Sequence, residues 1–66
     1  MNLLLLEYII KKRGFTNERF CRSLGMNQVT FYNKRNGITE FTWEEMQNIV
    51  TVLDLDFTTA RRIFFG

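Results

Sequence analysis

TNERFCRSLGMNQVTFYNKRNG, residues Thr16–Gly37, divides into two short helices around Leu24-Gly25-Met26. Thr16 suits the N-cap of the first helix, Asn17–Leu24, because its hydroxyl accepts a backbone N–H that the helix leaves free. Glu18 in the first turn complements the positive helix end. Gly25 supplies the positive φ that a tight helix-to-helix turn demands. Asn27 is the N-cap candidate of the second helix, Gln28–Arg35, and Asn36-Gly37 closes it. Phe20, Cys21, Leu24, Met26 and Phe31 make the inner faces, with the small Cys21 where the two helices cross closely. The outer row of the second helix is Gln28, Val29, Tyr32 and Asn33, with Lys34 and Arg35 beyond. Side chains of these types read base edges and hold phosphates. A helix, a glycine-containing turn of about three residues and a second helix make a helix-turn-helix.

The flanks predict three more helices. Before the unit, Leu3, Leu6 and Ile10, with Leu5 and Ile9 alongside, repeat at helical spacing over Leu3–Arg13. Lys11, Lys12 and Arg13 fall in its last turn, where cations oppose the negative end, and Gly14 stops it. After the unit, Thr42-Trp43-Glu44-Glu45 is a capping box opening a helix over Trp43–Leu53, with Met46, Ile49, Val50 and Leu53 as its stripe. A short helix, Thr58–Phe65, returns Ala60, Ile63 and Phe64 to the core, with Leu55 and Phe57 packing in the link before it. No alternating run reads as a strand. The expected fold is all-α, a five-helix single domain over residues 1–66.

A chain of 66 residues with 45% apolar side chains folds around one small core and needs tight packing or a partner subunit. One cysteine, Cys21, makes no internal disulfide, and without histidine no zinc ligand set exists. Leu3–Leu6 is too short for a membrane span or a secretory signal, so a soluble protein of a reducing cytoplasm is expected. The net charge of +2 is unevenly spread: residues 1–37 carry +5 and residues 38–66 carry −3. One half of the domain therefore suits a polyanion. No nucleophile has a base nearby in sequence and the carboxylates are scattered, so no enzyme, no cofactor and no metal site is expected.

In Thr16, Phe20, Cys21, Leu24, Gly25, Met26, Asn27, Thr30, Phe31, Asn36 and Gly37 the chain resembles, without a gap, the small Cro/cI-type (xenobiotic-response-element-type) repressor domains of phages and bacteria. The segments EFTWEEM and IVTVLDLD are similar to the family's fourth-helix start and the run after it. The resemblance covers residues 2–65. It implies that Gln28, Val29, Tyr32 and Asn33 face base edges in the major groove. The amides of Gln28 and Asn33 suit adenine, and Val29 suits a thymine methyl. It also implies that Asn17, Asn27, Lys34, Arg35 and Asn36 hold phosphates, with Arg13, Arg19 and Arg22 as outer candidates. Two positions depart from the family. Asn17 replaces a longer glutamine at a phosphate contact, and Lys34 replaces an aliphatic residue, leaving the helix end more exposed and more basic.

The implied function is a DNA-binding transcriptional regulator, a repressor of phage or mobile-element type acting as a homodimer on a pseudo-palindromic operator. A competing reading is a protein-interaction module of the same fold, such as an antirepressor, which the apolar tail Ile63-Phe64-Phe65 favours. Plainer readings accompany several residues. Arg19 and Arg22 suit solvated surface charges, and Lys11–Arg13 a helix-end cluster. Cys21 suits a small core residue and Trp43 a half-buried one, with a dimer contact as its alternative. One of Phe64 and Phe65 closes the core, and the other is left for a protein partner.

Overall fold

Phe20 has no exposed surface, and all five helices contribute side chains to the buried cluster it belongs to. The computed structural model describes Met1–Gly66. Its helices are α1 (Leu3–Lys12), α2 (Asn17–Leu24), α3 (Gln28–Arg35), α4 (Trp43–Leu53) and α5 (Phe57–Phe65), and there is no strand. No helix is long and apolar enough to cross a membrane.

Each helix starts at a side chain that accepts a backbone N–H. Asn2, Thr16, Asn27, Thr42 and Asp56 all do so from the residue three positions on. Such a cap contributes about 1 kcal/mol. At Thr42 the box closes in both directions: Glu45 N donates to the Thr42 hydroxyl at 3.1 Å, and Thr42 N donates to Glu45 Oε1 at 2.8 Å. The helix ends differ more. Gly25 stops α2 in the left-handed conformation at φ 69°, where its N–H and that of Met26 return to Arg22 O and Cys21 O. α4 ends at Asp54, the only non-glycine residue with positive φ. There Arg13 Nε donates to Leu53 O at 2.9 Å, so a cation from the end of α1 closes the end of α4.

Leu6, Ile9 and Ile10 of α1, Phe20 and Cys21 of α2, Phe31 of α3, Ile49 and Leu53 of α4 and Ile63 of α5 are the buried residues. Helix α2 packs on α3 and α4, and α1 packs on α5. Asn2 N donates to Ile63 O at 2.7 Å, joining the start of α1 to α5. A row of five rings crosses the core. Phe15, Phe20, Phe31, Phe41 and Phe64 follow one another with centroids 5.7, 5.6, 6.0 and 6.4 Å apart. Three of the four pairs are edge-to-face and the fourth is tilted, as the ring quadrupole favours. Burying one such ring stabilises the fold by about 1.5–3 kcal/mol.

Most helix limits match the sequence reading, α1 ending one residue earlier and α5 beginning one earlier. Two apolar expectations fail. Phe57 does not pack in a link; it is the first residue of α5 and is 82% exposed. Trp43 is not half-buried but 68% exposed, because as the first residue of α4 it precedes the stripe that faces the core.

Candidate functional site

The outer face of α3 follows from the position of Phe31. With Phe31 aimed at Phe20, the helical period turns Val29 and Tyr32 away from the core, and Gln28 is exposed as the first residue of α3. All three are exposed, Val29 at 70% and Tyr32 at 55%, although neither side chain gains from water. Asn33 is half-buried. Asn17, in the first turn of α2, shares a shallow groove of about 390 Å³ with Gln28, Val29 and Tyr32. Cys21 and Phe31 also line this groove. Burial pushes the Cys21 thiol up, against the opposing influence of Arg35. It therefore stays protonated and is no nucleophile at neutral pH.

Asn27 is separate from this set. It caps α3 by accepting the Thr30 N–H at 2.7 Å and borders a different groove, shared with the start of α4. Asn36 is also occupied, its Nδ2 donating to Tyr32 O at 2.9 Å. Gln28, Val29 and Tyr32 thus line one groove, without Asn33, while the phosphate-holding candidates scatter around it.

Lys34 and Arg35, which the sequence reading gives as outward phosphate contacts, are half-buried and both engaged within the fold. Lys34 Nζ donates to Glu45 Oε1 at 2.7 Å and to Glu40 O at 3.1 Å, and its side chain is only 14% exposed. The end of α3 is therefore less exposed and less basic than the sequence suggests. Arg35 Nη1 donates to Glu7 Oε1, and its guanidinium lies 5.5 Å from the Tyr32 ring centre. Its Nε is buried without a hydrogen-bond partner. The two cations pin α3 from both sides, to α4 and to α1. Arg13 is likewise committed, to the end of α4. Arg22 pairs with Glu18 at 2.8 Å on the surface, and Arg19 carries no ion pair.

Glu7 and Glu45 are the partners that sequence reasoning missed. Glu7 had a visible signal, since it is the one acid interrupting the apolar run Leu3–Ile10. Glu45 was assigned only to the capping box. Comparison of the chain with family models, curated proteins and solved structures gives no match.

Proposed function

We propose that this chain is a sequence-specific regulator of transcription that lays α3 in the major groove of double-stranded DNA. The observation that supports this reading is the outer face of α3. Gln28, Val29 and Tyr32 face solvent on a helix that the core anchors through Phe31 alone. The roles follow from chemistry: Gln28 for an adenine edge, Val29 for a thymine methyl, Tyr32 and Asn33 for neighbouring edges or sugars. Asn17 sits at the positive end of α2, beside the same groove, where a backbone phosphate is favoured. Arg19 and Arg22 remain as outer phosphate contacts. Lys34 and Arg35 act instead as braces that hold the angle of α3. The domain measures 27 × 25 × 21 Å, so two copies fit side by side with their α3 helices about one DNA turn, roughly 34 Å, apart. Repression by occluding a promoter is the simplest output for so small a domain.

A fluorescence-anisotropy titration against a pool of random duplexes at low salt tests the proposal. Binding is expected, and it weakens steeply as salt rises because counterions are released. Absence of binding at low salt defeats it.

One observation favours the second reading, a repressor-fold module that binds protein. The two cations at the end of α3 are spent internally, which weakens the polyanion attraction the sequence suggested. Replacing Gln28 and Asn33 with Ala separates the readings. Loss of duplex binding supports the first, whereas a protein complex that persists without duplex binding in the parent chain supports the second.

A further inference from the structure

We infer that Glu7, on α1, is a positioning residue for the reading face of α3 and acts on Tyr32 through the Arg35 guanidinium; its use rests on the proposed duplex binding. Tyr32 and Arg35 stand three positions apart on α3 and are neighbours on the helix surface. The Arg35 guanidinium lies over the Tyr32 ring, 5.5 Å from its centre. That is inside the roughly 6 Å within which a ring face attracts a cation. Arg35 Nη1 in turn donates to Glu7 Oε1, 28 residues away in the chain. The Arg35 side chain is only 19% exposed, and a cation partly stripped of water pulls harder on a ring.

Each member of this set supplies what the next one lacks. Tyr32 is exposed and is not among the apolar residues packed on the buried cluster, so the core does not hold its ring. A free arginine samples many rotamers, but Arg35 is tied to α1 by Glu7, its one hydrogen-bonded partner, and its Nε is buried with none. Lys12 shows the contrast: it lies 5.8 Å from the Tyr8 ring centre, yet it is exposed and no carboxylate pairs with it. A ring ordered before binding need not be ordered on the DNA, which favours complexes that use it. Complexes that touch only phosphates gain nothing from it. Removing the Glu7 charge also leaves Arg35 unneutralised beside the α2–α3 groove, which favours any polyanion. Losing Glu7 therefore costs selectivity without costing sequence-independent binding, whereas losing a mere brace lowers both.

Anisotropy titrations of the full chain with a duplex selected from a random pool, and with an unrelated duplex, test this beside NMR of the DNA-free chain. Glu7→Gln is expected to lower affinity for the selected duplex at least about threefold while the unrelated duplex binds as well or better. In a Tyr32→Ala background the same change is expected to leave selectivity where it was, because the residue it acts through is gone. Without DNA, nuclear Overhauser contacts between the Tyr32 ring and the Arg35 side chain are expected in the parent and weakened in Glu7→Gln. Glu7→Asp, which keeps the charge and draws the carboxylate back by one methylene, takes its place if Glu7→Gln does not fold. Equal losses on both duplexes, or a Glu7 effect that persists without Tyr32, overturn the inference. So does a ring–guanidinium contact indifferent to Glu7. A parent chain that binds no duplex overturns the operator reading, and the DNA-free contact then judges the Glu7–Arg35–Tyr32 linkage by itself. Duplex binding without the split in selectivity overturns this inference alone.

Discussion

The Lys34 ammonium and the Thr42 backbone N–H converge on one atom, Glu45 Oε1, at 2.7 and 2.8 Å. One carboxylate oxygen thereby joins the last turn of α3 to the first turn of α4. The capping box that starts α4 is also the anchor that orients the helix proposed to read DNA.

Lys34→Met separates bracing from phosphate contact. The pair is partly buried, at 14% and 25% exposure, so its loss is expected to cost about 1 kcal/mol, the upper end for a pair open to water. Urea unfolding measures that cost. In parallel, duplex affinity is expected to change by less than about threefold, with the salt slope unaltered. A slope reduced by about 1 would instead make Lys34 a phosphate contact.

Acid should unfold the domain through two carboxyls. The Lys34 hydrogen bond, helped by the Thr42 N–H, holds Glu45 below the usual carboxylate range. The Thr59 N–H holds Asp56 below its own. A depressed native value means stability that is present above the unfolded value of about 4 and lost as pH falls through the native one. Urea midpoints are expected to be level from about pH 7 to 5 and to drop below about pH 4. Glu45→Gln lowers the plateau and flattens the drop. A parent-like drop in that variant would remove Glu45 from the account.

Truncating the outer face of α3 should cost binding and nothing else. Gln28→Ala and Tyr32→Ala are each expected to lower affinity for a selected duplex by about 1–3 kcal/mol, roughly fivefold to 150-fold. Because both side chains point to solvent, thermal midpoints should stay within the change produced by about 0.5 kcal/mol. Paired anisotropy and thermal melts check both halves. A large stability loss with unchanged affinity would return these residues to the scaffold.

The two left-handed helix ends should respond in opposite directions. At Gly25, φ 69°, a Cβ meets nothing within 4 Å, so Gly25→Ala costs backbone strain alone, about 1–2 kcal/mol. Asp54, φ 50°, is the C-cap of α4 and brings a negative charge to the negative end of that helix. Asp54→Asn keeps a side chain that tolerates this conformation and removes the opposed charge, for a gain of about 0.3–1 kcal/mol. Chemical denaturation of both variants gives the comparison.

Leu24-Gly25-Met26 was legible because a glycine between two apolar stripes permits little else. The N-caps Thr16, Asn27 and Thr42 were legible for the same local reason, as each acts within three residues of itself, whereas Asn2 and Asp56 emerge only from the structure. The ion pairs of Lys34 and Arg35 were not legible because periodicity assigns a residue to a helix face but not to a partner on another helix. Long cationic side chains reach back over that distance, Lys34 to Glu45 and Arg35 to Glu7. Trp43 and Phe57 were misread because hydrophobicity marks what can be buried, not whether the chain has a surface left to bury it. The exposure of Val29 and Tyr32 was legible because Phe31 is the one residue of α3 in the buried core.

The row of rings from Phe15 to Phe64 bears on how this chain folds. Its members sit in the α1–α2 link, in α2, in α3, in the α3–α4 link and in α5, each ring paired with the next and all joined to the one core. A segment that detached would leave its neighbour's ring edge bare to water, so partly unfolded forms gain no low-energy resting place. Hydrogen exchange in all five helices is thus expected to follow one global opening rather than a series of smaller ones.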